Sequence, residues 1–214
     1  MGKTAIVIGT TGLVGSELLQ KLLSCEHYNH IITFSRRPLP ITHSKLTNHV
    51  IEFEKLTQYS ALFVGDVLFS CLGTTRKQAG SIEAQRIVDF DYQFIAAQLA
   101  ISNGVAHYCL VSSSGANANS HSPYLKMKGQ LEQHIKQLTF DKISILQPSL
   151  LVGKRDKFRL AEWLGSLVLP MLTRLPSLSR YRPIPAELVA KKLLDVSLTQ
   201  QQHLSYYVLD DLFH

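Results

Sequence analysis

Tyr124 and Lys128 stand four residues apart in "SPYLKMKG" (122–129). On a helix they share one side, one turn from each other. A tyrosine beside a cation can move protons: the charge lowers a phenol's pKa towards working pH, and the hydroxyl then donates to or accepts from a substrate oxygen. Upstream, "VSSSG" (111–115) ends an apolar run in hydroxyls, and a serine there can hold and polarise the same oxygen. The plain alternative is a helix start, with Pro123 where a first turn tolerates it and Lys126 and Lys128 on a solvated face. Which of the two holds depends on what the surrounding elements bring to this stretch.

The first apolar run, "TAIVIG" (4–9), leads directly into "GTTGLVG" (9–15). Gly9 lets the chain turn tightly, Gly12 lets backbone approach a pyrophosphate, and Gly15 lets the helix pack close to the sheet, with its N-terminus towards the negative charge. Glycines also mark ordinary turns, but here the strand-turn-helix context of a dinucleotide site is complete. Thr11, Leu13 and Val14 belong to the same cofactor-binding turn. A protein that binds NAD carries Asp or Glu about 20 residues further on. This chain has Ser35-Arg36-Arg37 there. Two guanidiniums and a hydroxyl would hold a 2′-phosphate by charge-assisted hydrogen bonds, whereas a carboxylate would repel it. The expected cofactor is therefore NADP(H).

Strand patterns at 4–9, 30–36, 49–53, 67–73, 107–113, 143–149 and 206–209 alternate with helical patterns at 12–24, about 81–102, 123 to about 138, and 186 to about 198. Asn103-Gly104 makes a good C-cap for the second helix. This alternation predicts an α/β fold: one doubly wound Rossmann-type domain over 1–214, with a mostly parallel sheet of about seven strands and helices on both faces. A small substrate-side segment falls at about 154–185, with a helical patch around 160–172. Ligands bind such sheets beyond the carboxyl ends of the strands. "CLGTT" (71–75), "SSSG" (112–115) and "QPS" (147–149) end three strands there. Tyr124 and Lys128 follow the fifth strand and can return to that cleft, completing a serine–tyrosine–lysine proton relay.

With 214 residues, 45% of them hydrophobic, the chain can bury a sizeable core. The net charge of +6 and pI near 9.2 come from lysines and arginines spread along the chain, with some clustering at 154–159 and 174–182. Neither a dense basic stripe nor a nucleic-acid motif accompanies them, which argues against a nucleic-acid partner. Cys25, Cys71 and Cys109 are odd in number and unpaired in spacing, as in a reducing compartment. The longest greasy stretch, 160–172, contains Glu162 and Pro170 and is too short for a bilayer. With no signal-peptide pattern ahead of the first strand, the expected setting is cytoplasmic, without a membrane or a metal.

The motifs resemble the short-chain dehydrogenases/reductases, and among them the atypical branch of the Tat-interacting-protein oxidoreductases. The resemblance is carried by "GTTGLVG" (9–15), "SRRP" (35–38), "CLGTTRKQAG" (71–80), "VDFDY" (88–92), "VSSSGAN" (111–117), "YLKMKG" (124–129) and "PSLLVG" (148–153). "CLGTTR" followed by "AG" and then "VD-DY" is much more specific than the glycine turn. The resemblance implies Tyr124 as catalytic acid/base, Lys128 on the nicotinamide ribose and the tyrosine, and Ser113 (or Ser112) on a substrate carbonyl. It implies Leu72, Gly73 and Thr74 along the cofactor and Pro148 near its nicotinamide end. The eleven-residue step from Ser113 to Tyr124 is shorter than the ordinary reductase spacing, which leaves the choice of serine open. The segment after the sixth strand is too short for the sugar-nucleotide subdomain of extended epimerases, so a substrate class does not carry over.

Two functions follow. One is an NADP(H)-dependent oxidoreductase acting on a small carbonyl or alcohol; the other is a non-catalytic NADP(H)-binding sensor that engages a protein partner. A third, more distant, makes Cys71 the thiol nucleophile of a semialdehyde dehydrogenase, but Cys71 lies in an apolar strand without a nearby histidine. His27 and His30 have HxxH spacing and lack further ligands. Asp89 and Asp91 are expected to pair with Arg76 or Lys77, or to lie on the surface. Trp163, with Leu160, Leu164 and Leu167, either lines a substrate mouth or packs on the core.

Overall fold

A computed structural model describes residues 2–152 and 182–213. Seven strands form one parallel sheet: β1 (Lys3–Ile8), β2 (Tyr28–Ser35), β3 (Leu46–Val50), β4 (Val67–Ser70), β5 (His107–Val111), β6 (Lys142–Gln147) and β9 (Leu204–Val208). Their order is β3-β2-β1-β4-β5-β6-β9, and every neighbouring pair is parallel. The order reverses at β1, which leaves a crevice between the carboxyl ends of β1 and β4. A second, two-stranded ladder pairs β7 (Leu151–Val152) with β8 (Ile184–Pro185).

Successive side chains on a strand face opposite sides of the sheet, so a sheet covered on both faces needs apolar residues throughout. In β1, Ala5 and Val7 enter one core while Ile6 and Ile8 enter the other. The first core is closed by α1 (Leu13–Ser24) and α6 (Ala186–Thr199), through Leu18, Leu22, Val189 and Leu193. The second is closed by α4 (Tyr92–Ser102), α5 (Pro123–Ile135) and the 3-10 segment Phe53–Leu62, through Ala96, Ala100, Leu131, Ile135 and Leu56. The expected α/β doubly wound architecture is the one found, with β9 starting two residues earlier than its pattern suggests.

The helix expected over 81–102 runs unbroken from Ile82 to Ser102, but it is not α-helical throughout. A separate short helix, α2 (Arg76–Ala79), precedes it; within it α3 (Ile82–Arg86) passes through a π-turn over Ile87–Asp91 into α4. Asn103 ends α4 as its C-cap, and Gly104 follows at φ 78°. The expected substrate-side segment, with Trp163 and the basic clusters, lies almost wholly outside the described residues. No helix of the described residues is long and apolar enough to cross a membrane.

Candidate active site

The β1 turn is made by backbone alone. Gly9 sits at φ +89°, and a Cβ there would lie 2.5 Å from the Cys71 backbone at the end of β4. A Cβ on Gly15 would overlap the Gly9 carbonyl, so α1 starts in direct contact with the turn. No side chain caps α1 at Gly12, leaving its first N–H groups for another acceptor. Beside Gly12 a Cβ would meet only the Gly9 oxygen, at 3.2 Å, and the Cys71 oxygen, at 3.8 Å. Thr10, not singled out from the sequence, buries its hydroxyl with no hydrogen-bond partner. An open glycine face, uncapped N–H groups and an orphaned hydroxyl fit the phosphates of a dinucleotide.

At the end of β2 the three candidate residues part company. Arg36 and Arg37 are exposed and form no ion pair among the described residues. Ser35 is buried, and its hydroxyl is shared between the Arg37 carbonyl at 2.6 Å and Asn48 Oδ1 at 3.0 Å. The expectation that this hydroxyl faces a phosphate is corrected: Ser35 shapes the arginine loop instead. Its burial on the final β2 position turns it towards β3. Glu54, also missed from the sequence, accepts from the Tyr92 hydroxyl at 3.0 Å. Its carboxyl is held below the usual range by its own backbone N–H and by Tyr92, with Arg36 adding its charge.

The serine loop is fixed between β6 and α5. Ser112 N–H donates to Leu146 O and Ser114 N–H to Pro148 O, both at 2.8 Å, which places Pro148 against the loop. The two candidate serines have different fates. Ser112 is buried and its hydroxyl donates to Glu132 Oε1, which Gln147 Nε2 also reaches at 2.9 Å. Burial pushes the Glu132 carboxyl up, and the bonds from Ser112 and Gln147 oppose that. Ser113 is half-buried, and its hydroxyl makes no hydrogen bond to a described residue. Gly129 lets this arrangement form, because a Cβ there would overlap the backbone of Asn117 and Ala118. The signal for it was the final glycine of "YLKMKG".

Tyr124 and Lys128 share one face of α5, yet they differ sharply in exposure. Tyr124 is 37% exposed and its hydroxyl makes no hydrogen bond to a described residue. Lys128 is buried, and its Nζ lies 3.2 Å from Asp89 Oδ1 in the π-turn. Asp89 Oδ2 accepts the Thr74 N–H at 2.9 Å, and Gln85 Nε2 donates to the Thr74 carbonyl at 3.0 Å. The "CLGTT" loop, with Leu72, Gly73 and Thr74, is thereby tied to Lys128. The pairing of Asp89 with Arg76 or Lys77 is corrected: both cations are exposed, and the π-turn sends Asp89 inward. Burial pushes the Cys71 thiol up to about 12, which removes the thiolate that a semialdehyde-dehydrogenase nucleophile requires.

Comparison with known proteins places these residues in a family. Protein HTATIP2 of Rattus norvegicus is 37% identical over 167 residues, covering 76% of this chain and 69% of its own length. The mitochondrial protein FMP52 of Coccidioides immitis is 35% identical over 178 residues, 77% of this chain and 72% of its own length. Among solved structures, MoeE5 in complex with UDP-glucose and NAD superposes with a TM-score of 0.72 at 13% identity, covering 98% of this chain and 79% of that one. No family model matches the sequence. Further fungal relatives are also named as mitochondrial. That overturns the cytoplasmic expectation, which rested on unpaired thiols and on the lack of a secretory signal pattern; both fit a reducing setting and neither distinguishes one such compartment from another.

Proposed function

The chain belongs to the HTATIP2/FMP52 family of atypical short-chain dehydrogenases/reductases, and from that premise we propose that it is an NADP(H)-dependent oxidoreductase interconverting a small carbonyl and its alcohol. The observation that carries this reading is the pairing on α5 of an exposed Tyr124 with a buried Lys128, at the same sheet edge as the open glycine turn. A lysine kept for solubility stays in water, because burying its ammonium costs several kcal/mol unless it is paired.

In this reading Gly9, Thr11, Gly12, Leu13, Val14 and Gly15 cradle the dinucleotide phosphates. Arg36 and Arg37 hold the 2′-phosphate, while Leu72, Gly73, Thr74 and Pro148 line the path to the nicotinamide. The bound dinucleotide supplies or accepts the hydride. Ser113 donates a hydrogen bond to the substrate oxygen, fixing it and polarising the carbonyl. Tyr124 gives that oxygen its proton in reduction and removes it in oxidation. Lys128 orients the ribose and the tyrosine.

The reading is tested in two arms. Fluorescence titration is expected to show NADPH bound about tenfold or more tightly than NADH; equal affinities would sink the NADP assignment. A carbonyl screen that follows NADPH oxidation is expected to find an activity that Tyr124→Phe lowers by about 100-fold or more, with NADPH binding unchanged. An activity that survives this substitution would remove Tyr124 from the chemistry. A broad screen without any turnover would favour a cofactor-sensing role.

A further inference from the structure

Lys128 does not stand in the site as a free cation. The π-turn over Ile87–Asp91 carries Asp89 inward to complete burial, and both of its carboxylate oxygens are engaged, Oδ1 by Lys128 at 3.2 Å and Oδ2 by the Thr74 N–H at 2.9 Å. The turn is itself anchored to the sheet: the Asp89 carbonyl accepts from Gln93 Nε2 at 2.8 Å, and Gln93 Oε1 accepts from the Ser70 hydroxyl at 2.7 Å. The Lys128 contact at Oδ1 is an ion pair only, since that oxygen accepts no hydrogen bond among the described residues. The side chains of Lys128 and Asp89 are 3% and 1% exposed. Of the three ion pairs among the described residues, the other two lie at least partly in solvent. Two opposite charges withdrawn from water persist only when each is matched by the other and by further hydrogen bonds.

A buried charge next to a nicotinamide would act differently on its two redox forms. The oxidised ring carries one positive charge more than the reduced ring, while the rest of the dinucleotide is the same in both. An unmatched ammonium would therefore repel the oxidised form selectively. We propose that Asp89 is a positioning residue that fixes the Lys128 ammonium and cancels its charge, so that the site accepts oxidised and reduced nicotinamide alike. This rests on the cofactor reading given under Proposed function. Asp89 sits in the π-turn, and single π-turns inside helices are frequent at functional sites.

The test is the ratio of NADP+ to NADPH dissociation constants, measured by fluorescence titration and competition for wild type, Asp89→Asn, Lys128→Met and the double variant. Asparagine keeps the volume and an acceptor for the Thr74 N–H but drops the charge. Asp89→Asn is expected to raise the ratio by about fivefold, and Lys128→Met to lower it by a similar factor. The double variant is expected to return within about twofold of wild type. A purely structural Asp89 would move both affinities together and leave the ratio in place; an unshifted ratio in folded Asp89→Asn overturns the proposal. So does a shift of both single variants in the same direction. If Asp89→Asn does not fold, Lys128→Met against the double variant, which buries no unmatched charge, makes the same comparison. Wild-type protein that binds neither dinucleotide removes the cofactor reading and this role with it. Wild type that binds both, with ratios unmoved by substitution, removes this role alone.

Discussion

Helices α1 and α5 both begin at the carboxyl edge of the sheet, and they meet the site in opposite ways. α1 arrives bare: a glycine N-cap, a turn at positive φ and a first helical turn pressed onto the Gly9 carbonyl. In the proposed reading, recognition there belongs to backbone N–H groups, which side-chain deletion cannot remove and only added atoms can block. α5 starts with Pro123 and brings side chains, an exposed phenol and a buried ammonium with its counter-charge. Here the proposed chemistry belongs to atoms that a single substitution deletes. The two ends of one crevice therefore fail in different ways, the first by overpacking and the second by loss of a functional group.

The sharpest way to break the comparison is to add atoms to the bare end. Gly15→Val is expected to push α1 off the turn, lower the melting temperature by about 10 °C and abolish NADPH binding. A variant that melts with wild type and still binds would show that the close contact is not needed. At the other end, deletion should separate chemistry from stability. Ser113→Ala is expected to reduce turnover by about 100-fold at an unchanged melting temperature. Ser112→Ala should instead cost about 1–3 kcal/mol of stability, because Glu132 loses a buried donor. If turnover follows Ser112 and stability Ser113, the two serines must be exchanged.

A smaller effect is expected where side chains reach the backbone-made end. Arg36→Ala and Arg37→Ala together should weaken NADPH by about tenfold while leaving NADH nearly unchanged; equal losses for both cofactors would deny any contact with a 2′-phosphate. The smallest belongs to Glu54, whose charge lies near Arg36. Glu54→Gln is expected to tighten NADPH by about twofold, since one exposed carboxylate near a phosphate is largely screened. No change in the NADPH-to-NADH preference would remove Glu54 from the cofactor site.

What could be read without coordinates follows from how local each signal is. A continuous apolar run, helical spacing and glycine punctuation fix β1, α1 and the turn between them, because each depends on neighbours within a few positions. Tyr124 and Lys128 share a face by helical spacing alone. Asp89 could not be assigned in this way. The helical pattern over 81–102 hides the π-turn, and nothing in "VDFDY" selects Lys128, 39 positions away, over the nearer Arg76 and Lys77. The fates of Ser35, Ser112 and Ser113 were likewise illegible. Each hydroxyl is claimed or left free by groups on other strands and helices, Asn48 and Glu132 among them.

The sequence by itself determined the doubly wound sheet, the glycine turn and the tyrosine–lysine face, because periodicity and backbone freedom are local properties. Tertiary structure alone decided which charges are matched and which hydroxyls stay available. Burial and partner distance are set by packing between remote segments, and these decide whether an ammonium is a solvated surface charge or part of a buried ion pair.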